Sequence, residues 1–394
     1  MNGERLQQGI HFRPGERPPP AFRLLLLNAA AAATGVGVAR ALAEILDMLE
    51  RLAAGDRRDL PGLPPDEALL SARQFQGLTT LVGYGARLFD PYAHQPPLTD
   101  AERPEYLARL GELPELPWTE PGVNRGDADI ALQLTASQGA AVSIAAVEVV
   151  KLISDHDLPV EVVATFDGFG RIDRRGWLDF HDGISNLAAD QRRAALVAPP
   201  HPPWMGGGTY MAFLRLPIDL AAWRRLSRTD QELLVGREKL TGSALVAVER
   251  DAQSLRPVGG GDFIDPPQTT DPVLEASHVH RANQSRASPY APASHRIFRQ
   301  GYDFLDDAGP DGPRPGLNFV SFQRDLAALQ HLLHLPGWLG DVNFGGRHDR
   351  GPGEPSALRF ISLAAGGLYA VPPHARPFPG ADLFESALAL RADL

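Results

Sequence analysis

Ala21-Phe22-Arg23-Leu24-Leu25-Leu26-Leu27-Asn28-Ala29-Ala30-Ala31-Ala32-Ala33-Thr34-Gly35-Val36-Gly37-Val38 is the stretch on which the fold turns. Its apolar, small-residue text over residues 24–38 suits a secretory signal, or a buried strand running into the start of a helix. Some twenty mostly polar residues precede it, without a twin arginine, and a helical stripe follows it. Val38, Leu42, Ile45, Leu49 and Leu52 recur at helical spacing, and Gly55 supplies a stop. The strand-then-helix reading explains both flanks, and the rest of the chain is read outward from it.

Downstream, residues 78–84 read as a strand running into Gly83 and Gly85, and 129–135 as another. A helix over 141–153 follows, with Ile144, Val147 and Val150 among its apolar residues, then a strand over 159–166. The order is β-α-β-β-α-β, the ferredoxin-like pattern. The second half repeats it: a strand at 208–216, a helix at 220–235 containing Trp223 and Leu226, and strands at 296–304 and 317–323. A helix at 326–335 and a strand at 358–371 complete the set. No short period accompanies this duplication. The expected class is α+β: two ferredoxin-like (βαββαβ) units, 21–190 and 205–394, with antiparallel sheets packed together and helices outside. Residues 1–20 read as an extended arm closed by Pro18-Pro19-Pro20.

Composition bounds the function. The chain has 394 residues, 43% of them hydrophobic, so a sizeable core is available, and 36 prolines with 39 glycines predict many loops. A net charge of −10 argues against nucleic acid or an anionic membrane as the main partner. The absence of cysteine excludes disulfides, thiolate ligation of haem, cysteine-based zinc sites and Fe–S clusters. It does not decide the compartment. No stretch is long and apolar enough for a membrane span, and the chain reads as soluble and cytoplasmic.

The segment over 241–293 is too long for a casual connection. Within and after it stand Ser277-His278-Val279-His280-Arg281-Ala282-Asn283 and Arg296-Ile297-Phe298-Arg299-Gln300-Gly301-Tyr302. A neutral imidazole ligates iron well, and an arginine that keeps its charge suits developing anionic oxygen. A surface loop with two solvated histidines and a basic edge strand explains the same residues. Upstream, Trp177-Leu178-Asp179-Phe180-His181-Asp182-Gly183-Ile184-Ser185-Asn186 sets a lone carboxylate before a turn glycine, which a turn aspartate bonding its own backbone also explains.

Taken together these motifs resemble the dye-decolourising peroxidase family over roughly residues 22–373. Phe180-His181-Asp182-Gly183-Ile184-Ser185 is similar to its Gly-x-x-Asp-Gly turn, Ser277-His278-Val279-His280 to its proximal-histidine motif, and Arg299-Gln300-Gly301-Tyr302 to its distal-arginine motif. The texts Val82-Gly83-Tyr84-Gly85, Trp204-Met205-Gly206-Gly207-Gly208 and Gly236-Arg237 also resemble it. Asp179 stands where the family's first motif glycine usually sits, His280 where an arginine is common, and Gln284 and Gln300 where a proline and an arginine are frequent.

The resemblance implies haem b as cofactor, with His278 as iron ligand and His280 as its alternative. It further implies Asp182 and Arg299 as the distal acid–base and the charge stabiliser. It implies reduction of hydrogen peroxide, through a ferryl intermediate, at the expense of a small or bulky aromatic electron donor. Asp341 is the expected carboxylate partner of the proximal imidazole and Asp325 the second choice; helix-cap or loop roles explain either. Arg281, Asn283 and His181 are expected near haem propionates. Tyr210, Trp223, Tyr302 and Trp338 are electron relays or core packing. Two rival functions stay open: a haem- or porphyrin-handling protein that carries the cofactor or releases its iron, and a ferredoxin-like module with a vestigial pocket. A homo-oligomer is left open.

Overall fold

The computed structural model describes residues 6–57, 62, 64–90, 103–104, 113–123, 128–184, 186–187, 189–247, 255–257, 271–282, 295–309, 312–336, 338–340, 344 and 360–384. Asn283 and Asp341 lie outside them.

The opening stretch is the strand β1 (Ala21–Ala29) followed by the helix α1 (Gly35–Ala53), whose first turn is capped where Thr34 Oγ1 accepts from Gly37 N at 3.1 Å. The expected stripe of α1, Val38, Leu42, Ile45, Leu49 and Leu52, is buried throughout. There follow α2 (Pro65–Gln74), β2 (Thr79–Gly85), β3 (Ile130–Ala136), α3 (Gly139–Asp155) and β4 (Val160–Phe169). After α4 (Ala189–Leu196) the second half begins with β5 (Thr209–Pro217). The expected helix over 220–235 is two helices, α5 (Leu220–Arg224) and α6 (Arg228–Val235). Ser227 breaks it by capping α6, its hydroxyl accepting from Asp230 N. A small hairpin, β6 (Leu245–Ala247) with β7 (Leu255–Pro257), leads to α7 (Pro272–Glu275) and α8 (His278–Ala282). The long strands β8 (Phe298–Gly309) and β9 (Gly312–Gln323), the helix α9 (Ala327–Leu333) and β10 (Ala365–Val371) follow. No helix among the described residues is long and apolar enough to cross a membrane.

The expectation of two sheets lying face to face is corrected in one respect. Eight strands close into one antiparallel barrel, in the order β1-β3-β2-β10-β5-β9-β8-β4. Each half contributes four strands, and twist brings their outer edges together, so every barrel strand has a neighbour on both sides. The seams are narrow. β2 meets β10 only at Gly85–Tyr369 and Tyr84–Ala370, and β4 meets β8 only at Phe169–Asp303.

Period-two alternation divides the strands between two cores. Phe22, Leu24 and Leu26 of β1 join Met211, Phe213, Phe298 and Tyr302 inside the barrel. Leu25, Leu27, Leu132 and Leu134 face outward beneath α1 and α3. The described part of the expected N-terminal arm is not free. Ile10 and Phe12 enter the inner core, and Gln7 splices the β2–β10 seam. Its amide accepts from Val82 N at 2.8 Å and donates to Val82 O and Pro372 O, both at 2.9 Å.

Candidate active site

A cavity of about 920 Å³ opens on the outer face of the second half. Its floor is the outward side of β5, β8 and β9, its far wall is α8 and α9, and the loop after β4 closes one side. Leu216, Leu317, Phe319, Leu329 and Leu333 make much of the wall apolar.

β8 aims the polar groups. Phe298 and Tyr302 pack into the barrel, and Gln300 donates to Gly9 O there, so Arg299, Gly301 and Asp303 face the cavity. Asn186 fixes Arg299 through its backbone. Asn186 Nδ2 donates to Arg299 O at 2.8 Å, and Arg299 N donates to Asn186 Oδ1 at 3.2 Å. Gly301 leaves room for Asp182, whose Oδ2 stands 3.2 Å from where a Cβ would be. Asp182 N donates to Arg174 O at 2.8 Å, and its Oδ1 accepts from Gly183 N at 2.6 Å. The turn-aspartate hydrogen bond and placement in the cavity therefore coexist. Asp179 has φ 66°, in the left-handed region that glycine favours and that aspartate adopts more readily than most residues. That accounts for how the turn survives the departure at this position.

On the opposite wall His278 begins α8. Its Nδ1 donates to Phe344 O at 2.9 Å, and its ring stacks on Phe344 with centroids 4.5 Å apart. The Trp338 indole donates to the same carbonyl at 2.9 Å. Burial pushes His278 down to about 4; the carbonyl bond and Asp182 oppose this, while Arg299 and Arg237 add to it. The imidazole is neutral near pH 7, with Nδ1 protonated and the Nε2 lone pair available to a metal ion. His280 is buried and does not line the cavity. Asp325 accepts from Ala328 N at 3.0 Å in the first turn of α9, the helix-end role that the sequence also allowed. Arg281 lies on α8 and is not among the described residues lining the cavity. Tyr210, Trp223 and Tyr302 are buried core residues, Tyr302 stacking on Phe22 at 4.5 Å; of the four expected relays only Trp338 meets His278.

His181 lines the cavity edge, where its Nε2 meets Arg175 Nη2 at 2.8 Å. Arg175 also donates to Asp179 O, Lys239 O and Leu240 O, tying the Asp182 loop to the turn after α6. Sequence reasoning assigned no role to Asn186, Arg175, Arg237 or Asp303. Arg237 is buried at the cavity wall and donates to Gly242 O at 2.9 Å. Asp303 is buried and pushed up to about 7, by burial first, then by Asp182 and Asp173, against Arg171. Only alternation along β8 could have placed Asp303 beside Arg299.

A neutral imidazole facing a fixed cation and a carboxylate across an apolar cavity can hold a metal ion on one side and move protons on the other. Proteins similar in sequence and in fold are known. In sequence the chain is 30% identical over 155 residues to a dye-decolorizing peroxidase of Thermobifida fusca, covering 37% of this chain and 33% of that protein. It is 28% identical to that of Brevibacterium linens, over 75% of this chain and 67% of the relative. It is 24% identical to a deferrochelatase of Shigella flexneri serotype 5b, over 73% and 68%. In fold it superposes on ferric DtpA from Streptomyces lividans with a TM-score of 0.71 at 23% identity, covering 97% of each chain. A variant of Rhodococcus jostii DypB in complex with heme gives 0.62 at 20% identity, over 96% and 98%. The sequence profile of the Dyp-type peroxidase N-terminal part matches residues 19–170, and that of the C-terminal part matches 173–376. With both parts matched in order and meeting at the loop that carries Asp182, the chain belongs to the Dyp-type peroxidase family.

Proposed function

We propose that this chain is a haem b peroxidase that reduces hydrogen peroxide while oxidising aromatic or other one-electron donors. The observation that carries the reading is His278, half-buried and neutral on one wall, opposite Arg299 and Asp182 on the other. The donor set fits the cofactor: an imidazole with Nδ1 engaged and Nε2 available, apolar walls for a macrocycle, and the buried Arg237 in the wall as a cation for an anionic substituent. Haem, when bound, supplies the iron that takes up peroxide and passes on its oxidising power. The chain's residues do the rest. Asp182 Oδ2 would take a proton from one peroxide oxygen and return it to the other, which leaves as water; a positioned acid–base group contributes roughly 10²–10⁴-fold. Arg299 holds negative charge developing on oxygen and cannot itself act as a base. Support for the reading comes from family membership and from the heme-bound DypB relative.

The strand order supports a duplicated origin. In each half the strands run second-third-first-fourth, as two ferredoxin-like units with domains 21–190 and 205–394 would have them. The soluble, cytoplasmic reading is kept as part of the proposal.

One observation favours the haem-handling alternative. His278 Nδ1 meets a carbonyl, which makes the imidazole a weaker electron donor than a carboxylate partner would. Deferrochelatases are among the relatives. Absorption spectra of the purified protein before and after one equivalent of peroxide, with a dye as donor, test the proposal. Peroxide-dependent dye oxidation is expected. Release of iron-free porphyrin without dye oxidation would favour the alternative, and the absence of a Soret band would sink both.

A further inference from the structure

Along the cavity face of β8 stand Arg299, the bare Gly301 and Asp303. Alternate positions on a strand are roughly 6.6–6.8 Å apart. The Asp182 carboxylate fills the gap above Gly301, so it lies between a fixed cation and a second carboxyl group. Asp182 is open to the cavity, whereas Asp303 is only 7% exposed, at the β4–β8 seam beside Phe169. The loop after β4 brings Arg171, Asp173 and Asp182 toward Asp303. Arg171 is engaged by Asp173 through two bonds, at 2.7 and 3.1 Å. β9 contributes only apolar Leu317 and Phe319 to the same face, and Arg299 is the cation on Asp303's own strand.

We propose that Asp303 is a proton store for the distal pocket, acting through Asp182 by passing protons inward from the cavity mouth. The inference rests on the peroxidase reading. Hydrogen peroxide, two protons and two electrons give two waters. A donor that surrenders only electrons leaves both protons to be drawn from solvent through an apolar-walled cavity. Arg299 cannot release a proton near neutrality. Asp303 can, since burial first and the charge of Asp182 second keep its acid form in play up to about pH 7. The proton leaves the Asp303 O–H, its bonding pair staying on Asp303, and reaches Asp182 Oδ2 through a bridging water. Asp182 would then give it to the remaining oxygen, which takes up two protons and two electrons to leave as the second water, the first having formed with the proton moved between the two peroxide oxygens. The ionised Asp303 is refilled from water at the mouth beside Gly176.

The test uses haem-loaded protein and two probes. Ferrocyanide gives an electron and no proton, whereas a phenol gives both. With ferrocyanide, parent turnover is expected to fall as pH rises through about 7. Asp303→Asn should lower it about tenfold, less than loss of a direct acid–base group, and remove that dependence on pH. Asp303→Glu should restore both, and phenol turnover should change far less. Infrared titration supplies a readout independent of turnover: a carboxyl band that vanishes near pH 7, missing in Asp303→Asn and titrating lower in Asp182→Asn. A haem-loaded Asp303→Asn protein with the parent's ferrocyanide rate and profile would overturn the inference, as would the absence of that band. A protein that binds haem but turns over peroxide with neither donor sinks the peroxidase reading instead. The band then still decides whether Asp303 holds a proton beside Asp182.

Discussion

His278 and His280 are two residues apart on α8, and helical geometry turns them about 200° from one another. His278→Ala is therefore expected to lose haem or hold it weakly, while His280→Ala keeps the ferric spectrum. Isolating the His280 variant as the haem-free one would reverse the ligand assignment. Across the cavity, Arg299→Leu should slow reaction with peroxide by about 10²–10³-fold, as for loss of an oxyanion-type donor. Stopped-flow absorption measures this directly, and an unchanged rate would remove Arg299 from the chemistry. Asp303 also carries a stability signature. Its acid form persists to about pH 7 when folded, but an unfolded aspartate ionises near 3.8. Between those values the native state holds a proton that the unfolded chain has lost, so stability falls as pH rises through the window. Asp303→Asn cannot ionise. Relative to the parent it should gain roughly 2–4 kcal/mol between about pH 4 and pH 8, read by denaturant unfolding. A difference that stays constant with pH would mean Asp303 is ionised throughout.

β8 shows how one element assembles a site and how much of that a sequence reveals. Its alternation puts Arg299, Gly301 and Asp303 on one face, and a methyl group at Gly301 would press on both Asp182 Oδ2 and Leu317 Cδ1 at 3.2 Å. Gly301→Ala should displace Asp182 and slow reaction with peroxide, by less than the 10²–10⁴-fold of losing the group, while haem content stays at the parent level. Parent-like kinetics would show that the loop yields without cost. Asp182, Arg299 and His278, which line one cavity, could be singled out in the sequence because each sits in a short local motif. Arg237, Asn186 and Asp303 were not, because their importance depends on partners distant in the chain. Asn186 meets Arg299 only once the barrel closes. The helices divide in the same way. The stripe of α1 was legible because its other faces are polar. α3 is apolar nearly all round, and Val147 and Val150, 55% and 51% exposed, could not be told from the buried Ala145 and Val149. Ser227, which splits the expected helix at 220–235, could have been read as a cap.

For the whole molecule, the mixture of helices with antiparallel strands could be read from hydrophobic periodicity, but the closing of eight strands into one barrel could not. Seams of one and two residue pairs leave no trace in hydrophobic periodicity. The chain mends one of them with Gln7, whose amide is buried against backbone groups of β2 and the residue following β10. Gln7→Ala strands those groups and should cost about 1–3 kcal/mol in denaturant unfolding. A loss near zero would mean that the strands can close around the gap. Gln7 and Pro372 are 365 positions apart. At ribosomal speeds of about 5–20 residues per second, the older partner waits roughly 20–70 s for the younger one to be made. Throughout synthesis, then, the first half stands with the edge of β2 unsealed, a template for mispairing with a neighbouring nascent chain. Protease protection of the β2 edge should arise only in arrested chains long enough to expose β10. Assembly of the barrel is gated by β10, the last of its eight strands in chain order, and the residue that locks it precedes all eight.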